Sequence, residues 1–188
     1  MLAALRKRPF TVQALAAAAV TSAGLLIVGH IFEAFGYLPC ALCLDQRQAH
    51  WAALAVAGAG LGAHFLLRAK LAAAAAVGAA AMVYAVSAGL AFFHTGVEYK
   101  FWPGPATCSG AAGGLVEAGG LAEALTKKPA RPACEEAQWR LFGISMAGYN
   151  LLFSAGLFAL TLTAAAGAAR AAHNDRRPHP DAAATTGA

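Results

Sequence analysis

The chain has 188 residues, 59% of them hydrophobic and 12% charged, with a mean hydropathy of +0.56 and a formal net charge of +5. Soluble domains carry about 25% charge and 45–50% apolar residues, so this balance excludes an ordinary water-soluble fold, and it is too apolar for a disordered chain. Four cysteines are too few for a disulfide-dense secreted scaffold.

Because 52 residues are Ala, which is weakly apolar, gaps between charged residues are a sharper signal than hydropathy. A helix crossing a bilayer needs about 20 such residues. After the basic start Arg6, Lys7 and Arg8, no charged residue occurs for 24 residues, from Pro9 to Phe32, which predicts a first span over 10–32. A signal peptide would begin the same way, but this apolar run is longer than a usual signal core and more spans follow. A 20-residue gap from Gln48 to Leu67 predicts a second span over 48–67, minimal in length and holding His50 and His64. A 27-residue gap from Leu71 to Val97 predicts a third span over 71–93.

The connection 94–142 contains Trp102-Pro103-Gly104-Pro105, which no regular helix accommodates. Within it Leu115, Ala118, Leu121, Ala122 and Leu125 recur at helical spacing, giving either a short amphipathic surface helix or, with Gly119 and Gly120, a flexible loop. A 29-residue gap from Leu141 to Ala169 predicts the last span, over 143–168. The polar tail 170–188 is expected to be unstructured. Helices and closed barrels alone satisfy their backbone in lipid, and these runs are too long for barrel strands. The expected fold is therefore all-α: a four-transmembrane-helix bundle forming one domain, 1–169.

Lys and Arg in short loops mark the cytoplasmic side. The two termini and the second connection carry eight positive and two negative charges, net +6. The loops 33–47 and 94–142 carry six positive and seven negative, net −1. Both termini are expected inside and both loops outside. Topology explains the basic charge, so no nucleic-acid partner is expected.

All four cysteines fall in the outer loops. Disulfides persist outside a bacterial inner membrane or in the endoplasmic reticulum lumen. The first pair reads Pro39-Cys40-Ala41-Leu42-Cys43. A ring this short gives little loop-entropy stabilisation but suits redox cycling between differently poised thiols. Cys43 is expected in the first turn of the second helix, where the helix dipole and Arg47, one turn on, favour a thiolate. A plain staple and a metal knuckle are the alternatives. Zinc would need a matching second pair, which Cys108 and Cys134 do not form, and haem attachment would need His where Leu44 stands. Cys108 and Cys134 flank a Gly- and Ala-rich segment, so this second pair is expected to be exposed and mobile. No metal site is expected. Neither a Walker motif, a dinucleotide fingerprint nor a Ser-His-Asp pattern occurs.

Pro39-Cys40-x-x-Cys43-x-x-x-Arg47, then Pro105-Ala106-Thr107-Cys108, then Cys134 followed by Gln138-Trp139, resembles the DsbB family of quinone-linked bacterial disulfide oxidases. The likeness spans roughly Pro9 to Ala166. Vitamin K epoxide reductase-like proteins place their Cys-x-x-Cys late, whereas here it comes early. The resemblance implies catalytic roles for Cys40, Cys43, Cys108 and Cys134, and a quinone cofactor, ubiquinone rather than menaquinone, held by Arg47, Cys43 and His94. It further implies a DsbA-like thioredoxin-fold partner in the periplasm and a site in the bacterial inner membrane. In that scheme the partner attacks Cys108, Cys134 exchanges with Cys40, and Cys43 leaves as a thiolate beside the quinone. Asp45 and Gln46 before Arg47 depart from the family's better-known members, and Asp45 would counter a Cys43 thiolate. Glu98 is expected to pair with a loop cation, and His30 and His50 to snorkel at span ends. The competing classes are a non-enzymatic four-span protein with structural loop disulfides, and a haem or metal carrier using His30, His50 or His94.

Overall fold

The computed structural model describes residues 8–108 and 132–176. Four long helices occur among them: α1 over Phe10–Ala34, α2 over Ala41–Phe65, α3 over Lys70–Glu98 and α4 over Met146–Asp175. The expected surface helix near 115–125 lies outside the described residues.

Local chemistry sets the ends of these helices. Pro9 precedes the first turn of α1, where its missing N–H is no loss. Gly36, at φ +92°, turns the chain after α1. Cys40 caps α2, and its sulfur accepts the Cys43 backbone N–H at 3.3 Å. Ser145 caps α4, its Oγ accepting the Gly148 N–H at 3.1 Å. Just before it, β1 (Arg140–Leu141) pairs antiparallel with β2 (Ile144–Ser145). Phe142 and Gly143, at φ 51° and 81°, form the two-residue turn that matches strand twist. The helix α4 continues to Asp175, past the expected tail boundary at 170, because the Ala-rich run from Ala164 to Ala172 strongly favours helix.

The helix α3 packs against both α2 and α4, and α1 closes the bundle against α2. Small residues make the core: Ala18, Ala53, Ala57, Ala73, Val77 and Ala80 sit around Leu15, Tyr84 and Leu157. Small side chains let helix backbones approach closely in lipid. At Gly60 a Cβ would lie 2.6 Å from the Ala76 Cβ, so α2 and α3 meet at a distance only glycine permits. Large apolar residues instead face outward, among them Val20, Ile27, Met82, Phe92 and Leu152.

Helices α1, α3 and α4 are long and apolar enough to cross a membrane. The helix α2 falls short because Gln48, His50 and His64 interrupt a run of Ala and Gly.

Candidate functional site

The segment that follows the C-terminal end of α3 folds back over the N-terminal end of α2. Trp102 fixes this return. Its indole N–H donates to the Phe93 carbonyl at 2.9 Å, and its ring lies over Gly96, where a Cβ would come within 2.0 Å of it. This brings Cys108 and then Cys134 onto the cap of α2. Cys108 and Cys134 are joined by a disulfide, with Cα atoms 5.0 Å apart. Cys40, Leu42, Val97, Cys108 and Cys134 form one buried cluster. The loop pair is thus not exposed as expected: Cys108 is 2% and Cys134 1% accessible. Sequence composition, poor in large apolar residues, hid the cover that Trp102 and Val97 supply.

Cys40 and Cys43 are free thiols with sulfurs 2.9 Å apart. Cys40 is buried, while Cys43 is partly accessible. The reactive atoms of Cys40, His94 and Cys134 all lie within 4.8 Å of one another. They are close enough to share a metal ion, but a disulfide sulfur is not the thiolate that zinc takes. What the cluster can do is exchange: the Cys40 sulfur stands beside the inner sulfur of the loop disulfide.

The two thiols are driven apart in acidity. Cys43 is held below the ordinary thiol range, chiefly by the S–H that Cys40 donates, with burial opposing and the Arg47 charge adding the least. Cys40 is pushed up by the same hydrogen bond seen from the donor's side, then by burial and the charge of Cys43. Asp45 is exposed and is absent from the influences on Cys43.

A cavity of about 520 Å³ opens beside Cys43, between α1, α2 and α4. Its walls are mainly apolar and aromatic, with Phe32, Tyr37 and Trp139 at one end. Arg47 lines it, but the guanidinium is bound to α1 rather than to the Cys43 sulfur. Nη1 donates to Glu33 Oε2 at 2.7 Å and Nη2 to the Gly29 carbonyl at 2.9 Å. A flat, apolar ring with polar edge atoms fits such a slot in size and chemistry.

Several partners were not legible in the sequence. His50 does not snorkel: it is 4% accessible, with Nε2 2.7 Å from Asn150 Oδ1 and Nδ1 3.1 Å from Ser22 Oγ. Gln46 sits between His94 and Asn150. His30 is exposed, 3.5 Å from Glu33. Glu98 is buried at the C-terminal end of α3, accepts from Ser145 Oγ and feels the Arg140 charge, so the expected loop cation is present but a hydroxyl makes the direct contact. Polar residues inside an apolar helix are the only sequence signal these share.

No curated protein and no solved structure matches the chain. The family described as "Disulfide bond formation protein DsbB" matches residues 11–164. With its apolar helices and paired cysteines, the chain therefore belongs to the DsbB family of membrane proteins of disulfide bond formation.

Proposed function

We propose that the protein is a quinone-dependent thiol oxidase of four membrane spans, α2 being the second. It would reoxidise a DsbA-like thioredoxin-fold partner at the outer face of a bacterial inner membrane. The observation that carries this reading is the junction at Cys40: its sulfur touches Cys43 on one side and neighbours Cys134 on the other, while Cys43 borders the cavity.

The thiol chemistry follows from that order. A partner thiolate attacks the Cys108 sulfur and breaks the Cys108–Cys134 bond, leaving Cys134 as the thiolate. With the Cys40–Cys43 pair oxidised, Cys134 attacks Cys40 and the bond electrons leave with Cys43. Cys43 is the better leaving group because its anion is the favoured one in the pair. The partner's second thiol then displaces Cys108 and leaves oxidised. When bound, a quinone accepts two electrons and two protons, matching the two electrons and two protons that a dithiol gives up. Cys43, Arg47, Gln46 and Asn150 would hold its ring, and His94 acts on the cavity through Gln46 rather than by lining it. The slot is shared by ring types, and ubiquinone remains the proposed one.

The test is direct. Purified protein, a reduced thioredoxin-like oxidant and ubiquinone should consume quinone absorbance, and both Cys43→Ala and Cys108→Ala should abolish the loss. No loss with ubiquinone or menaquinone and any thiol partner would return the protein to the stapled, non-enzymatic class.

A further inference from the structure

Side chains from all four helices form one hydrogen-bonded line that ends on the Cys40 sulfur. Ser22 Oγ lies 3.1 Å from His50 Nδ1, and His50 Nε2 lies 2.7 Å from Asn150 Oδ1. Asn150 Nδ2 lies 2.5 Å from Gln46 Oε1, and Gln46 Nε2 lies 2.8 Å from His94 Nδ1. His94 Nε2 then lies 3.6 Å from Cys40 Sγ. Ser22, Gln46, His50 and His94 are all buried.

The line has a direction. A side-chain amide donates at one end and accepts at the other, and so does a neutral imidazole. Setting one link therefore sets the next, and the whole line can run only toward Cys40 or away from it. Both ends select the first. At the outer end His94 Nε2 faces the Cys40 sulfur and, at 3.9 Å, a Glu98 carboxylate oxygen, both able to accept its hydrogen, while burial disfavours the charged ring. At the inner end Ser154 Oγ donates to Asn150 Oδ1 at 3.2 Å, which keeps that oxygen toward His50. His50 then carries its proton on Nε2, and its Nδ1 accepts from Ser22; the Tyr84 hydroxyl, 2.8 Å from Ser22 Oγ and 3.0 Å from the Ala18 carbonyl, can turn its one hydrogen to Ser22 while Ser22 gives its own to His50.

We propose that Ser22, His50, Asn150 and Gln46 are positioning residues: they lock His94 as its Nε2–H tautomer and aim that N–H at Cys40, stabilising Cys40 as a thiolate. Links of like direction polarise one another, so each strengthens the last donor. The line is a clamp and not a proton wire, because an amide N–H does not hand its proton on.

The use of this clamp rests on the relay proposed above. After the partner has left, the Cys108 thiolate attacks Cys134 of the Cys40–Cys134 bond. Cys108–Cys134 forms again and Cys40 departs with the bond electrons. Burial disfavours an anion there, and Glu98 and Cys43 are the other ionisable groups that face it. The His94 N–H lowers the cost of that departure. Cys43 already holds the charge from the preceding step, so Cys40 departs beside an anion; the His94 N–H offsets part of that repulsion until Cys40 takes up a proton and donates it to Cys43.

The Cys43→Ala protein with its loop disulfide intact leaves Cys40 as the single free thiol, whose thiolate absorbance near 240 nm can be titrated. In that background Gln46→Leu should lower the Cys40 ionisation constant roughly tenfold, the lower end of what a hydrogen bond to a charged group contributes. Asn150→Leu should act in the same direction but less. Nitrogen NMR of 15N-histidine protein should show His94 as Nε2–H in the parent and should lose that preference in Gln46→Leu. An Nδ1–H tautomer in the parent, or an unchanged Cys40 titration in both variants with native helix content, overturns the proposal. Should Gln46→Leu fail to fold, Asn150→Leu carries the same test. The readout needs neither quinone nor partner, so a failed relay would show as normal Cys40 behaviour without quinone consumption.

Discussion

Arg47 Nη1 donates to Glu33 Oε2 at 2.7 Å, tying α2 to α1 at the rim of the cavity. An ion pair across a slot both holds the slot's width and fixes a cation at its edge. Arg47→Ala should raise the quinone KM roughly tenfold, as expected for losing a hydrogen bond from a charged donor. Exchange with the thiol partner should be unchanged. Glu33→Gln keeps the cation and the Gly29 contact, so its effect should be several-fold smaller. Steady-state kinetics with quinone and partner varied separately check this, and equal KM values in Arg47→Ala and the parent would remove Arg47 from the quinone site.

The acidity of Cys43 gives a pH prediction with a definite sign. A depressed thiol pKa means that the thiolate is present above that value and is lost as pH falls through it. Alkylation of Cys43 in the reduced protein should therefore stay fast below the pH at which ordinary thiols slow down. Cys40→Ala removes the S–H donor and should move the inflection up, toward the ordinary thiol range. Arg47→Ala should move it the same way by less. Rapid alkylation across a pH series, read by mass spectrometry at Cys43, measures all three.

The contact of Trp102 with Gly96 should behave as a lock. Gly96→Ala drives a methyl group into the indole and should cost about 1–3 kcal/mol, the usual range for overpacking. Trp102→Ala alone loses the packing. The double variant should be less destabilised than the two single losses combined, since removing the ring makes room for the methyl. Thermal unfolding of the four proteins in detergent completes the cycle, and additive losses would show that the two residues do not share the contact.

Topology can be mapped independently. With four spans and both termini inside, a periplasm-dependent reporter fused after residue 100 should be active, and fusions after residues 68 and 176 should be inactive. An active fusion at 68 would mean that α2 does not cross.

Much of this architecture is written in the charge gaps. The gaps predict α1, α3 and α4 because a charged residue in lipid is costly enough to punctuate each span. The same gaps predict α2, but its run is shorter and is interrupted by Gln48, His50 and His64, of which His50 turns into the bundle toward Ser22 and Asn150. The Cys40–Cys43 pair and its helix start are local, set within a few residues, and so can be read from Pro39-Cys40-x-x-Cys43. Contacts between distant residues cannot be read that way. Gln46 meets Asn150, and His50 meets Ser22, only after the helices pack. Burial of Cys108 likewise depends on the Trp102–Gly96 contact, whose partners look unremarkable in a loop of Gly, Pro and Ala.

The closure of that loop over Cys108 and Cys134 bears on electron leakage. If the protein is the oxidase proposed above, it faces every small reductant outside the membrane, and each stray turnover would waste carrier without making a useful bond. Cys108, the sulfur an outside thiol would attack, is 2% accessible and Cys134 1%, so the disulfide presents almost no sulfur to a freely diffusing thiol such as glutathione. For the proposed relay, a protein partner makes many contacts at once and so has docking energy to spend on reaching the buried sulfur, which a tripeptide lacks. Selection of clients would then be exercised by access before any difference in redox potential comes into play.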